Sequence, residues 1–145
     1  MLIFSIIFIA GTFAGSFFYT LAQRYINGLF SSNPLKALFS RSKCDSCNNP
    51  INLVSLIPIA GYLIIAGKCK SCGKKISISY PLWELFFGLL ALAVFYIRGY
   101  SLMTVFVYLI CSVVIAIAIV DYKTMIVHPS LVLALLLLSL YPVFT

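Results

Sequence analysis

Two Cys-x-x-Cys pairs are the residues of this sequence with the clearest chemistry. Cys44 and Cys47 form the first pair, Cys69 and Cys72 form the second, and 21 residues separate the pairs. Each pair turns both sulfurs toward a common point, so two pairs near this separation can supply four ligands to one tetrahedral zinc ion. Four cysteines can instead form two disulfides in an oxidising compartment. The side of the membrane that the segment faces therefore decides between the two interpretations.

Three acidic residues are the candidates for carboxylate chemistry. Asp121 directly follows a long uncharged apolar run, where an ionisable side chain is costly enough to indicate function. An Asp that ends a helix and pairs with Lys123 fits the same position. Glu84 follows Pro81 and is expected in the first helical turn, where the helix dipole favours an anion. Asp45 is expected in the turn of the first cysteine pair or as a hydrogen-bond acceptor beside it.

Two further reactive residues have ordinary explanations. His128 is the only histidine, so no Ser-His-Asp set can be assembled, and we expect it at the start of a helix. Cys111 stands alone in an apolar run and is expected to be a small buried hydrophobic residue. The sequence shows no tandem repeat that we recognise and no glycine-rich phosphate loop.

The composition is that of an integral membrane protein. The chain is 63% hydrophobic and 9% charged, with a mean hydropathy of +1.12, whereas a soluble domain carries about 25% charged residues. The ten Lys and Arg residues lie in short segments beside very apolar ones, as membrane topology requires, and no aromatic residues alternate with them. This pattern argues against a nucleic-acid-binding protein.

The order of apolar runs predicts an all-α integral membrane protein with about four transmembrane helices. A helix that crosses the hydrocarbon core needs about 20 residues. We therefore divide the chain into a first transmembrane helix, a basic loop with the four-cysteine zinc site, and three further transmembrane helices: 1–22, 23–79 and 80–145, with the last apolar run at 126–143. Gly11, Gly15 and Ser16 are small residues at a spacing that suits close helix contacts in lipid.

The basic loop predicts the topology of the chain. Residues 23–79 contain eight Lys and Arg residues and one acid, which places the loop in the cytoplasm and the amino terminus outside. Thiols stay reduced in the cytoplasm, so zinc is favoured over disulfides. The apolar segment 51–66 is short and contains Pro58 and Gly61. We expect it to pack on the cysteine pairs or lie at the membrane surface. If it crossed the membrane instead, the two pairs could not share a metal.

A series of short motifs resembles the bacterial type IV prepilin leader peptidases. The motifs are Gly15-Ser16-Phe17, Arg24, Arg41-Ser42-x-Cys44-x-x-Cys47, Ile57-Pro58, Gly67-x-Cys69-x-x-Cys72, Ile76-Ser77, Tyr80-Pro81-x-x-Glu84 and Asp121. Members of this family are multi-pass aspartic peptidases of the inner membrane. They remove the positively charged leader of pilin precursors at the cytoplasmic face, and many then methylate the new amino terminus with S-adenosylmethionine.

The resemblance implies roles for five residues. Asp121 corresponds to the first catalytic aspartate, and Cys44, Cys47, Cys69 and Cys72 correspond to the zinc ligands. It also implies pilin-like precursor proteins as substrates. S-adenosylmethionine as a cofactor is implied by the resemblance alone.

The family's second catalytic aspartate has no counterpart in this sequence. That aspartate follows Gly-x-Gly in a later membrane segment, whereas here no acid follows Asp121. We therefore expect a short or split peptidase that needs a second aspartate from another chain or from sequence beyond these residues. The alternative is a non-catalytic zinc-binding membrane scaffold of a pilus or secretion assembly. A homodimer with one Asp121 from each subunit and a dyad of Glu84 with Asp121 are two further hypotheses.

Overall fold

The structure, a computed structural model, contains helices and no strands in the residues that it describes. These are residues 1–29, 41–44 and 46–125, together with 132, 133, 135 and 136. Up to residue 125 the elements are α1 (Leu2–Ile26), a 3-10 turn (Leu53–Leu56), α2 (Ala60–Ile64), α3 (Ser79–Arg98) and α4 (Leu102–Thr124). Two isolated β-bridges accompany them, Lys43 with Pro50 and Lys68 with Lys75. The prediction of an all-α fold is confirmed.

Three of the helices, α1, α3 and α4, are long and apolar enough to cross a membrane. The chain is therefore a membrane protein, as its composition predicts. The fourth apolar run, residues 126–143, lies outside the described residues except at four positions, and His128 lies outside them as well. Helix α1 continues beyond Ala22 and ends at Ile26, which places Arg24 in its last turn.

Helices α1 and α3 pack antiparallel and very closely through glycines. A Cβ atom added to Gly11 would lie 2.7 Å from the Cβ of Ala91, and one added to Gly15 would lie 2.7 Å from the Cβ of Phe87. Only glycine fits at such distances, and small residues are what allow helix backbones to approach in lipid. The close helix contact expected at Gly11 and Gly15 is confirmed.

Helix α4 runs parallel to α1 and brings its last turn to the end of α1. Val120 is 1% exposed and packs with Ala22 and Tyr25 of α1. At the same end Tyr19 of α1 contacts Tyr80 in the first turn of α3, with ring centroids 5.0 Å apart. The end of α1, the start of α3 and the end of α4 therefore share one end of the bundle, here called the inner end.

The segment between α1 and α3 is folded at the inner end. Its apolar part forms the 3-10 turn and α2, and α2 has 5 residues, far fewer than the approximately 20 that a span needs. The four cysteines on either side of it lie together. The segment therefore has no helix long enough to span a membrane, and its place relative to the bilayer stays a prediction.

Candidate metal site and the inner end of the helices

Two turns of identical backbone design carry the four cysteines. In the first turn the N–H of Cys44 donates to the carbonyl of Asn49 at 3.0 Å, and in the second the N–H of Cys69 donates to the carbonyl of Lys74 at 2.9 Å. Each partner in the second turn lies 25 positions after its counterpart in the first, and the two β-bridges keep the same offset. The segment is thus a structural repeat of one cysteine knuckle.

The residue after each cysteine pair closes its knuckle with a left-handed backbone. Asn48 has φ of 55° and Gly73 has φ of 71°, and Gly and Asn are the residues that adopt this conformation most readily. Their N–H groups donate to the carbonyls of Cys44 and Cys69 at 2.9 and 2.8 Å. The residue types at these positions therefore explain why both chains turn back at the same point.

The repeat is legible in the sequence, and the expectation of no tandem repeat is wrong. The first knuckle reads Lys-Cys-x-Ser-Cys-x-x-x-Ile from Lys43 to Ile51, and the second reads the same from Lys68 to Ile76. Five identities in so short a stretch are too few to stand out against the surrounding chain. The shared hydrogen bonds make the repeat plain.

The four sulfurs have the separations of a tetrahedral zinc site. The Sγ atoms of Cys44 and Cys72 are 3.8 Å apart, those of Cys47 and Cys69 are 3.9 Å apart, and all four lie within 4.8 Å of one another. Zinc–sulfur bonds of about 2.3 Å give a tetrahedron with edges of about 3.8 Å. All four are free thiols. The four cysteines can therefore hold one zinc ion.

Backbone N–H groups stabilise the thiolate form of one cysteine in each knuckle. Hydrogen bonds from the N–H groups of Ser46 and Cys47 lower the pKa of Cys44 to about 6. The pKa of Cys69 is lowered chiefly by a hydrogen bond from the N–H of Cys72. The first ligand of each pair is thus prepared to bind a cation, because the thiolate is the form that binds metal.

The thiol of Cys47 shows how the clustered sulfurs affect one another. A hydrogen bond from the N–H of Asn49 lowers the pKa of Cys47. Desolvation and the neighbouring sulfurs of Cys72, Cys44 and Cys69 raise the pKa by a larger amount, so that it is about 11. A cation among the sulfurs offsets this mutual repulsion and can deprotonate a coordinating thiol outright. The electrostatics of the cluster therefore also suit a divalent metal.

Glu84 connects the knuckle segment to the membrane helices. Helix α3 begins at Ser79 and has no acid in its first turn, so the expectation of a first-turn Glu84 is wrong. The side chain is buried, and its Oε2 accepts a hydrogen bond from the N–H of Ile59 at 2.7 Å. Ile59 has φ of 61° and ψ of −57°, and the N–H of Ala60 donates to the carbonyl of Pro58 at 2.6 Å. This is the rare, strained form of γ-turn.

Nothing in the sequence marks the contact between Glu84 and the γ-turn. A β-branched residue disfavours a positive φ, so Ile59 is an unlikely position for such a turn from sequence alone. The buried carboxylate of Glu84 accepts a hydrogen bond from the N–H of Ile59, the residue directly before α2. Glu84 therefore fixes the position of the knuckle segment on α3, and its carboxylate is occupied by this contact.

Asp121 lies in the last turn of α4 at the inner end. It is half-buried and follows Val120, which packs on α1. Its carbonyl accepts a hydrogen bond from the N–H of Met125 at 2.7 Å, and Met125 ends the helix with φ of 53°. Asp121 is not part of the cysteine cluster, and Asp45 lies outside the described residues. The structure thus gathers the four cysteines and holds Asp121 on a separate element at the same end.

Comparisons with known proteins agree on one family. Residues 9–98 match the model of the Bacterial Peptidase A24 N-terminal domain. A prepilin leader peptidase/N-methyltransferase of Bacillus subtilis is 36% identical over 123 residues, which are 85% of this chain and 47% of that protein. One of Neisseria gonorrhoeae is 38% identical over 68% of this chain and 35% of its own length. One of Klebsiella pneumoniae is 29% identical over 91% of this chain and 58% of its own length.

The match to the family model spans well over half of the chain and includes most of α1, both knuckles and all of α3. The chain spans between 35% and 58% of the length of the three relatives. No solved structure was found to match it. The family model and the relatives together show that this protein belongs to the prepilin leader peptidase family, of which it carries the bacterial peptidase A24 N-terminal domain.

Proposed function

We propose that this protein acts as part of a prepilin leader peptidase. It contributes the first membrane helices, a structural zinc site and one of the two catalytic aspartates. The observation that carries the proposal is the position of Asp121, in the last turn of α4 at the inner end where the knuckle segment is folded. A precursor with its leader in the cytosol and its apolar helix in the bilayer would present its cleavage site at this level.

Aspartic catalysis explains what Asp121 does. Two carboxylates share one proton, so that one acts as base toward the attacking water and the other as acid toward the scissile carbonyl. Asp121 is one of the two in this proposal. Glu84 is less suited to be its partner, because the carboxylate of Glu84 is buried and already accepts the N–H of Ile59. The second carboxylate comes from outside these 145 residues, in another segment or another chain.

The distribution of Lys and Arg residues supports the membrane topology of this proposal. The loop that holds the knuckles carries most of the Lys and Arg residues of the chain, which favours a cytoplasmic loop and an external amino terminus in the bacterial inner membrane. Zinc in this loop is structural, since four thiolates complete its coordination and leave no position for a reacting water. The names of the relatives include an N-methyltransferase activity; methylation, and S-adenosylmethionine as its cofactor, stay predictions for this chain.

The proposal is tested by cleavage of a type IV pilin precursor in membranes. The protein is produced together with a membrane protein that bears a candidate second aspartate, and cleavage is followed by mass spectrometry of the pilin. Asp121→Asn keeps the shape of the side chain and removes its charge, so cleavage should fall by about a thousandfold. Tyr122→Phe is the control, because Tyr122 is its exposed neighbour in the same turn.

Two results would overturn the proposal. Unchanged cleavage by the Asp121→Asn variant would remove Asp121 from the catalytic site. Binding of the pilin precursor without cleavage, in every combination with partner proteins, would instead identify a non-catalytic scaffold.

A further inference from the structure

A cavity lies between the inner ends of α1 and α3 and the knuckle segment. Its volume is about 750 Å³, and its walls include Thr20 and Gln23 of α1, Tyr80 of α3 and Tyr62 of α2. Sites for small molecules and cofactors have volumes of about 300–1,000 Å³. The cavity is thus large enough for a molecular ligand, and it lies where helices that cross the membrane emerge from it.

The lining of the cavity is strongly cationic. Glu84 is the single carboxylate among the described lining residues. Cys44 and Cys69 also line it, and four thiolates around a divalent ion carry a net charge of minus two. Positive charges still outnumber negative ones two to one, because six cationic side chains line the cavity: Arg24, Arg41, Lys43, Lys70, Lys74 and Lys75. The lysines and arginines therefore exceed what the metal site and Glu84 can neutralise, and the cavity favours an anion.

Exposed apolar side chains lie beside this cationic lining. Leu63 and Ile64 of α2 are 70% and 60% exposed, and Ile57, which lines the cavity, is 45% exposed. Their neighbour Tyr62 forms part of the cavity wall. Cationic and apolar groups combined in this way at the end of a membrane helix are typical of a surface that lies in the headgroup region of an anionic leaflet.

We propose that the cavity binds the phosphate headgroup of an anionic phospholipid from the leaflet at the inner end. The cationic lining selects the negatively charged phosphate, and the apolar residues of the knuckle segment contact the adjoining acyl chains. A soluble anion would use the charge but would leave Leu63 and Ile64 in water. This proposal depends on the membrane insertion of α1 and α3 and does not depend on peptidase activity.

The test measures lipid binding to the full chain in detergent by native mass spectrometry. Phosphatidylglycerol and phosphatidylcholine of the same acyl chains are titrated, and the first should bind at least tenfold more tightly. A triple variant, Lys70→Gln, Lys74→Gln and Lys75→Gln, should bind phosphatidylglycerol about a hundredfold more weakly, at about fivefold for each charge. The same three positions changed to Arg keep the charge and should keep the affinity.

A matched control separates the cavity from overall charge. Lys68→Gln, Arg98→Gln and Lys123→Gln remove the same number of charges from residues that do not line the cavity, and this variant should bind phosphatidylglycerol normally. Zinc content is measured for each variant, so that a loss of the fold is not mistaken for a loss of the site.

Three results would overturn the proposal. The first is equal affinity for phosphatidylglycerol and phosphatidylcholine. The second is an equal loss of binding in the two triple Gln variants, which would indicate net charge and not the cavity. The third is displacement of phosphatidylglycerol by equimolar inorganic phosphate or S-adenosylmethionine, which would assign the cavity to a soluble ligand.

Discussion

The knuckle segment and the pair of helices α1 and α3 are stabilised by different interactions. In residues 41–44, 46–52 and 54–78, whose burial the structure describes, the segment buries four residues, Cys44, Pro58, Gly61 and Gly67, so this part has almost no hydrophobic core. The helix pair instead buries Phe87 and Ala91 to 0% and 2% exposure against the glycines of α1. The segment relies on sulfurs and backbone hydrogen bonds, and the helices rely on close packing.

The solvent of each region explains the difference. A few tens of residues in water cannot bury enough apolar surface to fold unaided, so such units need a metal or disulfides. In lipid the hydrophobic effect does not drive helices together, so small residues and close contact do so. The segment should therefore depend on one ion and the helices on side-chain volume, and four variants test this comparison.

The largest effect should follow from loss of a zinc ligand. Zinc in small structural sites contributes apparent binding free energies of about 10–16 kcal/mol. Cys44→Ser should lower the zinc content of the purified, reduced protein from about one per chain to a small fraction of that. It should also make the knuckle segment sensitive to protease while α1 and α3 stay protected. Zinc is measured by elemental analysis.

Cys111→Ser is the control for this variant, since Cys111 lies in α4 away from the cluster, and its zinc content should be normal. A wild-type protein that contains no zinc after purification under reducing conditions would contradict the assignment of the site.

The second variant tests the helix pair. Gly15→Leu places a side chain where even a Cβ would lie 2.7 Å from the Cβ of Phe87. Overpacking of this kind costs about 1–3 kcal/mol, and the free energy of unfolding in mixed detergent micelles should fall by about 3 kcal/mol with zinc retained. Ala10→Leu adds three of these four side-chain carbons at an exposed position of α1 and should be neutral. Equal losses in the two variants would show that α1 and α3 are not in close contact.

The third variant tests the joint between the two regions. Glu84→Ala removes the acceptor for the N–H of Ile59 and leaves that N–H without a partner. An unsatisfied donor of this kind lowers the free energy of unfolding by about 1–3 kcal/mol. The knuckle segment should then exchange amide hydrogens faster than in the wild type while it keeps its zinc. Glu84→Gln retains a carbonyl oxygen and should show a smaller effect. Loss of zinc in Glu84→Ala would mean that the segment cannot fold apart from α3.

What the sequence predicted well depends on composition and on local spacing. Uninterrupted apolar runs predict the helices because a membrane admits few other structures, and two Cys-x-x-Cys pairs predict a four-sulfur cluster because each knuckle is local. Gly11 and Gly15 indicated a packing face, although their partners on α3 could not be read from α1 alone. The family assignment came from the same local motifs.

What the sequence did not predict depends on contacts between distant residues. A glutamate near the start of a helix has a simple local explanation. The actual role of Glu84 depends instead on Ile59, 25 positions earlier. Ile59 has a positive φ, which a β-branched side chain disfavours. The five residue identities shared by the two knuckles are too few to predict a repeat. The shared backbone hydrogen bonds are what make the repeat plain. Catalysis by Asp121 requires a second carboxylate, so the role of Asp121 stays a proposal.

The smallest effect is expected at the contact of α4 with the helix pair. The buried hydroxyl of Tyr108 reaches the carbonyls of Gly11 and Phe87 at 3.3 and 3.4 Å, and both distances are long for hydrogen bonds. Side-chain hydrogen bonds between membrane helices contribute about 0.6 kcal/mol on average, so Tyr108→Phe should lower the free energy of unfolding by about that amount. Tyr96→Phe removes a hydroxyl from a residue that is 79% exposed and should be neutral. A loss above about 2 kcal/mol in Tyr108→Phe would show that polar contacts, and not close packing, hold α4 in place.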